Sequence, residues 1–431
     1  MRVGSSVAGL LTVLAGLSVA QIAEASPQDV IGYGARSQGM GATGVASARG
    51  YEAVYSNPAL LSLQRVPELN LGLVGIVFAL EADGPIGSDG LAAGVLGGAL
   101  PIPMPGPLKD RFVLGFGFLT PFDIVVRSRI LYVERPQFLL PDRVESIAAQ
   151  VGLGVDVGWG VRVGLGMEVL AALSGTVLAA VDSTGKLGAV VQDTLVASYA
   201  PVAGVSVDVP GGWRAGLAFH GPLEGKFDVR IDIKDLGTVV VPPVFVSGVA
   251  QYDPLQLETE FARVEGPIRG AVSVGWRRWS QYPGLAEATV RCPLDVRTFD
   301  LPTCAAPLPE EPEFSDTVIA RAGVELGYPA RDGVELLTRA GYFFESAPGP
   351  EQTREANVYE EARSHVTFGF GLDVSEPIAR GFKMDFFGQL GIIHGRTHDK
   401  GPDVTGENPG RPSISTGGLI LAGGTTAGVA F

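Results

Sequence analysis

Apolar and polar residues alternate strictly in several long segments of the chain. Between Ser146 and Trp159 every second residue is apolar, and small or polar residues fill the positions between them. The apolar set is Ile147, Ala149, Val151, Leu153, Val155, Val157 and Trp159. The same alternation recurs in residues 161–169, 317–328 and 365–374. Because successive side chains of a strand point to opposite faces of its sheet, this period of two predicts β-strands with one apolar face.

The connections between these segments alternate in length. The short ones read VGWG, VPGGW, YPARDG and SEPIARG, and the long ones span residues 121–143, 282–315, 346–363 and 397–413. From Glu68 onward the pattern yields roughly fourteen strands, an even number, with a glycine-rich polar face. These features predict an all-β fold, a transmembrane antiparallel β-barrel of about 14 strands with short turns at one end. A soluble antiparallel sandwich also alternates and is the alternative.

Aromatic residues lie near the ends of the predicted strands. They are Trp159, Trp213 and Tyr328 beside short turns, and Trp276 and Trp279 beside a long loop. Aromatic belts of this kind mark the two membrane interfaces of a barrel. We therefore expect these five side chains to lie at the membrane surfaces.

Composition agrees with a barrel and excludes other classes. Of 431 residues 60 are glycine, 18% are charged, and the mean hydropathy is +0.26. Beyond the N-terminal region no run of about eighteen apolar residues occurs, which argues against membrane-spanning helices. A net charge of −14 argues against a nucleic-acid partner, because nucleic-acid-binding surfaces are basic. Neither a G-x-S-x-G elbow nor a CxxC pair is present, and we expect no enzyme and no cofactor.

Residues 1–25 resemble a secretory signal peptide. Arg2 gives a positive start, residues 7–20 form a short apolar run, and residues 23–25 supply small residues for cleavage. We expect the mature chain to begin near Ser26. The alternative is an N-terminal membrane anchor.

The stretch GMGATG, residues 39–44, matches the G-x-G-x-x-G fingerprint of dinucleotide-binding turns, and the acidic Glu68 follows. That fingerprint carries meaning only between a buried strand and a helix. The preceding PQDVIGYGARSQ contains no apolar run that could form the strand. We therefore interpret the glycines as sites of close backbone packing rather than of NAD or FAD binding.

The N-terminal stretch GARSQGMGATGVASARGYEAVYSNPALL resembles the hatch signature of the FadL/TodX family of outer-membrane transporters. The matching residues are Arg36, Gly39, Gly41, residues 46–53, Asn57, Pro58 and Ala59. The segments VSVGWRRWSQY and LLTRAGYFFESAPGP are similar to strand ends of the family, as is the terminal Phe431. Leu60 stands where the family often has glycine.

The resemblance implies an N-terminal hatch (residues 26–67) inside a barrel (residues 68–431). It implies passive uptake of small hydrophobic molecules, either long-chain fatty acids or aromatic or aliphatic hydrocarbons, gated by the hatch. The implied partners are this ligand, outer-membrane lipid and the barrel assembly machinery, for a monomer in the cell outer membrane. The alternatives are a non-transporting barrel of the same family with a secretion or attachment role, and an outer-membrane barrel hydrolase.

Charged residues on the polar face have two interpretations. They are Asp156, Arg162, Glu168, Arg214, Glu325, Arg339, Asp373 and Asp385. They form either a paired lumen lining that grips the hatch, or a site where Arg214 or Arg339 holds a carboxylate head group. Within the hatch, Asn57 is expected to bond nearby backbone through its amide, and Pro58 to make that turn rigid.

The resemblance also implies a path that opens sideways through the barrel wall near a bent strand. RFVLGFGFLTPF is the candidate for that strand, because Gly115 and Gly117 weaken it and Pro121 ends its pairing. Cys292 and Cys304 are expected to form a disulfide in a long loop. His394 and His398 are four residues apart in what we expect to be a solvated loop, and we predict no metal site.

Overall fold

The computed structural model describes residues 27–88, 90–122, 135–144, 146–181, 187–234, 244–284, 287–290, 312–375, 381–401 and 411–431. Its α-helices are short and lie near the N-terminus: α1 (Pro27–Ile31), α2 (Ala35–Gly39) and α3 (Ala53–Ser56). The 3₁₀ helices are Gly50–Glu52, Pro58–Leu63, Gly106–Leu108, Asp142–Val144 and Trp279–Gln281. No helix in these residues has the length and apolar character needed to cross a membrane.

Fourteen long strands follow within the described residues. They are β1 (Glu68–Ala82), β2 (Leu91–Ile102), β3 (Phe112–Pro121), β4 (Ala148–Gly158), β5 (Val161–Val181), β6 (Leu187–Val209), β7 (Trp213–His220 and Leu223–Lys234), β8 (Val244–Asp253 and Gln256–Arg263), β9 (Ile268–Arg277), β10 (Thr317–Arg331), β11 (Val334–Glu345), β12 (Arg363–Val374), β13 (Phe382–Asp399) and β14 (Ser413–Ala430). Shorter strands are Pro85–Ile86, Gln137–Phe138, Glu287–Val290 and Val358–Tyr359.

The long strands close into one barrel. Consecutive strands pair antiparallel, and β1 pairs with β14 from Glu68 against Ala430 to Ala82 against Thr416. This last ladder leaves no free edge between the first and last strands, as closure of a barrel requires. The predicted antiparallel β-barrel is confirmed, and the sandwich alternative is wrong.

Strands β7 and β8 are interrupted at neighbouring positions. Residues 221–222, Gly-Pro, separate the two parts of β7, and residues 254–255, Pro-Leu, separate those of β8. Proline has no N–H to donate to a ladder, which explains the position of both breaks. Beyond its break β7 also runs parallel to β5, with Asp228–Lys234 beside Ser174–Ala180.

The outer face of the barrel is apolar. On β1 the side chains of Leu71, Leu73 and Val77 are 61, 56 and 61% exposed, whereas Ile76 and Phe78 point inward and are buried. Such exposure is unfavourable in water but suits contact with lipid tails. The alternation that predicted the strands therefore separates an outward apolar face from the interior.

Most of the predicted aromatic belt lies on the surface, with one exception. Trp159, at the turn after β4, is 95% exposed, and the exposed Trp213 stacks on Phe261 with ring centres 4.9 Å apart. Trp279 is only 1% exposed and lies in an aromatic cluster beneath the long loops. Its assignment to the membrane interface was wrong, because it follows β9 in a 3₁₀ helix that turns inward.

Residues 27–63, which we call the inner segment, fill the barrel interior beneath the long loops. Among its apolar side chains that are at most 1% exposed, the largest are Ile31, Tyr33, Met40, Leu60 and Leu61. Most of them form one cluster with inward-facing residues of the strands, including Ile76, Val113 and Ile420. The core of the molecule thus lies between the inner segment and the barrel wall.

Candidate functional site at the inner segment

Glycines on the lumen face allow the inner segment to lie directly against the barrel wall. A Cβ atom added to Gly323 would lie 2.9 Å from the Met40 Cβ, and one added to Gly369 would lie 3.1 Å from the Gly39 Cα. Other wall glycines in similar contact are Gly97, Gly115, Gly154, Gly164, Gly204, Gly216 and Gly341. Larger residues at these positions would displace the inner segment, which accounts for the glycine-rich polar face.

The GMGATG stretch is anchored by β12. Thr367 Oγ1 accepts a hydrogen bond from the Gly41 N–H at 2.9 Å and donates one to the Gly39 carbonyl at 3.2 Å. Gly41 has a φ of +70°, and a Cβ there would lie 2.6 Å from the Ala322 carbonyl oxygen. The stretch follows α2 rather than a buried strand, so it lacks the setting of a dinucleotide-binding turn.

One wall carboxylate binds three consecutive backbone groups of the inner segment. Glu260 of β8 accepts hydrogen bonds from the N–H groups of Gly44, Val45 and Ala46 at 2.7, 3.0 and 3.1 Å. Glu260 is 2% exposed, and these donors replace the water that its carboxylate loses. Sequence reasoning missed this residue, because its place on the inward face of β8 does not distinguish it from other polar residues there.

The Asn57 side chain binds both the inner segment itself and the barrel wall. Its Nδ2 donates to the carbonyls of Val45 at 2.6 Å and Val205 at 3.1 Å, and its Oδ1 accepts from the Ala59 N–H at 3.1 Å. The side chain thereby caps the 3₁₀ helix that begins at Pro58, whose missing N–H is not needed at that first position. Asn57 is fully buried, so each of these bonds is shielded from water.

Arg36 attaches α2 to strand β10. Its Nε and Nη2 donate to the two carboxylate oxygens of Glu325 at 2.9 and 3.2 Å, and its Nη1 donates to the Ser47 carbonyl at 2.9 Å. Glu325 is fully buried and also binds Arg269 at 3.0 Å and Arg339 at 2.7 Å. One carboxylate therefore connects the inner segment with β9, β10 and β11.

Glu52 organises α2 from within the inner segment. Its carboxylate accepts hydrogen bonds from the Ser37 hydroxyl at 2.6 Å and from the Arg36 N–H at 3.1 Å. Burial raises the pKa of Glu52, and the charge of Arg36 opposes that rise. The contact fixes the first turn of α2 and thereby aims Arg36 at the wall.

The two arginines proposed from the sequence as carboxylate binders have different surroundings. Arg339 is held between Glu325 at 2.7 Å and Asp385 at 2.6 Å. Arg214 pairs with Asp208 at 2.8 Å and borders a cavity of about 280 Å³ between the inner segment and the short-turn end. Only Arg214 of the two faces this cavity.

The strand predicted to open sideways is β3. It pairs with β2 over its whole length and with β4 from Phe112 to Leu119, so its described ladders contain no gap. Gly115 and Gly117 face inward, against the side chains of Leu61 and Tyr33. Contact with the inner segment therefore accounts for both glycines, and a lateral path at β3 remains a prediction.

Side chains of the long loops and of strand β8 form a largely aromatic cluster at the long-loop end of the lumen. Its buried members are Leu139, Tyr252, Trp279, Tyr282, Phe314 and Val358. The Arg143 guanidinium lies 5.0 Å from the centre of a Trp279 ring and pairs with Asp253 at 2.8 Å. Sequence reasoning did not identify this apolar cluster.

In the described part of the chain, no group of three or more His, Cys, Asp or Glu side chains is arranged to hold a metal ion. His394 and His398 lie in β13, not in a loop as expected, and a bulge near Gly395 turns only His398 inward. There His398 Nε2 lies 2.8 Å from the Glu361 carboxylate. Cys292 and Cys304 lie outside the described residues.

No protein-family model and no curated protein matches the chain. Solved structures do match it over nearly its whole length. A FadL homologue of Pseudomonas aeruginosa has a TM-score of 0.62 and 12% identity, with 93% of this chain and 98% of that one covered. The Pseudomonas putida toluene transporter TodX has a TM-score of 0.54 and 14% identity, with 94% and 99% covered.

The Ralstonia pickettii toluene transporter TbuX gives a TM-score of 0.52 and 14% identity, with 94% of this chain and 99% of that chain covered. At these identities the matches establish a shared fold. The resemblance predicted from the N-terminal motif is thus confirmed at the level of the fold.

Proposed function

We propose that this chain forms an outer-membrane barrel for passive uptake of small hydrophobic molecules, and that its inner segment is the gate. The observation that supports this most is how the inner segment is attached. The contacts described above join it to the wall through side chains and close glycine packing. Such contacts can rearrange while the strand ladders, and hence the barrel, stay intact.

The fold and the apolar outer face of the barrel support the proposed location in the outer membrane. We infer that residues 1–25 are removed as a signal peptide, that the barrel assembly machinery inserts the chain, and that it works as a monomer. The matched structures are of a FadL homologue and of toluene transporters, so long-chain fatty acids and hydrocarbons are the candidate ligand classes. Movement down a gradient needs no cofactor.

Gly41→Val tests the gate. The variant introduces a branched side chain at a positive φ and directly against the carbonyl oxygen of Ala322, so it should displace the inner segment. Gly87→Val is the matched control, because a Cβ at Gly87 meets no atom within 4 Å. Both variants are expected to fold and insert into the membrane. A difference in gel mobility between unheated and heated samples tests this.

The measurement is uptake of radiolabelled oleate and toluene by Gram-negative cells that lack their own hydrophobe transporters. Wild type and Gly87→Val should take up at least one probe faster than cells with an empty vector, and Gly41→Val should differ from both. Equal uptake by all cells, including the empty vector, would contradict transport. Uptake by Gly41→Val that equals wild type would contradict gating.

A further inference from the structure

A second cavity lies between the inner segment and the barrel wall, on the side of the long loops. It is lined by Gln28 from α1, by Leu140 from a long loop, and by Ile319, Phe343 and His365 from strands β10, β11 and β12. Its volume is about 50 Å³. Because one water molecule needs roughly 10–15 Å³, the cavity accommodates one small polar group and the carbon atoms beside it.

The side chain of Gln28 has no hydrogen-bond partner among the described residues. It is only 1% exposed, and both its Oε1 and its Nε2 are buried without a bond. A buried amide that makes no hydrogen bond costs free energy, and such groups are rare in folded proteins. The amide offers one acceptor and one donor to a molecule inside the cavity.

His365 presents a further polar atom from the opposite wall. Its ring stacks on Phe343 with centres 4.2 Å apart, and its Nδ1 lies 2.6 Å from the Nε2 of Gln389. Because an amide nitrogen donates, Nδ1 is the acceptor in this contact and Nε2 carries the proton. That Nε2 is buried and has no partner among the described residues, so it is a donor held in a fixed position.

Each of the three arginines that border the cavity is already paired with a carboxylate. The pairs are Arg277 with Glu345 at 2.7 Å, Arg363 with Glu345 at 2.6 Å, Arg363 with Glu360 at 2.9 Å, and Arg321 with Glu258. An anionic ligand would have to compete with these buried carboxylates, one of which, Glu345, lines the cavity itself. The open hydrogen-bonding capacity therefore belongs to uncharged groups, and it favours an uncharged ligand.

We propose that this cavity binds the hydroxyl group of an uncharged amphiphile, a phenol or an alkanol, before the ligand passes the inner segment. A hydroxyl both donates and accepts, so it pairs with the amide of Gln28 and with the Nε2–H of His365. Ile319 and Phe343 contact the adjoining carbon atoms. The inference rests on the proposed function and adds a ligand class to it, namely hydroxylated compounds without a charge.

The probes are p-cresol, p-xylene and p-toluate, which share a methylphenyl body and differ in one group. At pH 7 p-cresol is uncharged, because a phenol has a pKa of about 10. Binding of each probe to the purified full-length protein in lipid nanodiscs is measured by calorimetry, and the signal of empty nanodiscs is subtracted.

Gln28→Leu is the test variant, because it removes both amide atoms and keeps a side chain of similar size. Gln64→Leu is the matched control: Gln64 also belongs to the described N-terminal region, but its amide bonds the Val66 carbonyl and it does not line this cavity. His365→Phe with Gln389→Leu is a second test variant, which replaces the bonded pair of the opposite wall by apolar residues and leaves neither partner behind.

Wild type and Gln64→Leu should bind p-cresol at least about tenfold more tightly than p-xylene or p-toluate. A site built to bond a hydroxyl rejects an analogue that lacks it, because its own polar groups then stay unpaired. Both test variants should lose most of that preference. Equal binding of p-cresol and p-xylene by wild type, tighter binding of p-toluate, or test variants that bind p-cresol like wild type would each overturn the proposal.

The thermal stability of the ligand-free protein gives an independent result. Gln28→Leu should unfold at a higher temperature than wild type, because leucine needs no hydrogen bond where the buried amide lacks one. The midpoint is read from the loss of the gel-mobility difference on heating. A lower midpoint for Gln28→Leu would show that the amide holds the structure together, and would overturn its assignment to a ligand.

Toluene uptake separates this proposal from the transport proposal. If Gln28→Leu takes up toluene normally but binds p-cresol as tightly as wild type, the cavity proposal fails and transport stands. If wild type takes up neither toluene nor oleate, the transport proposal fails, whatever the affinity for p-cresol. Loss of p-cresol affinity in Gln28→Leu with normal toluene uptake is the expected result.

Discussion

At the scale of single residues, the inner segment is held by buried polar side chains whose partners are backbone groups or opposite charges. Glu260 and Asn57 bind backbone, and Glu325 binds three guanidinium groups. A buried polar group that loses its partner costs free energy, so each contact gives the closed arrangement a definite geometry. These residues are the first places to test the attachment.

Asn57→Ala should loosen the turn before Pro58 without affecting membrane insertion. The change removes the two shortest Nδ2 bonds and the cap on Ala59, an expected cost of about 1–3 kcal/mol to the local structure. Asn57→Asp separates the two roles, because it keeps the acceptor for Ala59 but loses the donors. Hydrogen exchange of residues 45–63 is the measurement; protection equal to wild type in both variants would refute the role given to Asn57.

Glu325→Gln should release α2 from the wall. The variant leaves Arg36, Arg269 and Arg339 without their shared carboxylate, and breaking a buried pair in this way costs roughly 3–5 kcal/mol. Limited proteolysis should then cut the inner segment much faster than in wild type. Asp332→Asn, at the exposed turn after β10, is the control and should not change the cleavage rate. Similar rates for all three proteins would argue against this anchor.

At the scale of elements, the alternation of apolar residues predicted the strands well, because side-chain direction in a barrel depends only on the period of two. In residues 317–328 and 365–374 the predicted apolar face is the observed outer face of β10 and β12. The breaks in β7 and β8 and the inward turn of Trp279 were not predicted. They depend on contacts between neighbouring strands and loops, which a local pattern does not contain.

The loop between β9 and β10 carries the predicted bridge from Cys292 to Cys304. In the chain-entropy model a ring of this size stabilises the loop by about 3 kcal/mol. Mass spectrometry of denatured, unreduced protein treated with a thiol reagent should find no labelled cysteine, and reduction beforehand should expose two. Labelling of both cysteines without reduction would show that the bridge is absent.

At the scale of the whole molecule, the sequence predicts the barrel fold much further than it predicts how the inner segment is attached. The barrel needs only alternation and closure, so its fold followed from the sequence pattern together with the motif around Asn57. The attachment of the inner segment pairs residues far apart in the chain, such as Arg36 with Glu325 and Gly44 with Glu260. No spacing rule connects such residues. The sequence therefore identified Arg36 and Asn57 as hatch residues and Glu325 as one of several lumen-facing charges, but not which of them pair.

The central claim, that the inner segment gates a hydrophobic path, is tested most directly by locking that segment to the wall. Pro58→Cys with Gly152→Cys, in a Cys292→Ser and Cys304→Ser background, places two Cβ atoms about 3.5 Å apart, within the range of a disulfide, and a Cβ at Gly152 meets no atom closer than 3.4 Å. Uptake of labelled oleate by cells expressing this protein is measured before and after a permeant reductant. Uptake should be blocked when the lock is oxidised and restored on reduction, with Gly152→Cys alone unaffected. Equal uptake in the locked and reduced states would contradict gating by the inner segment.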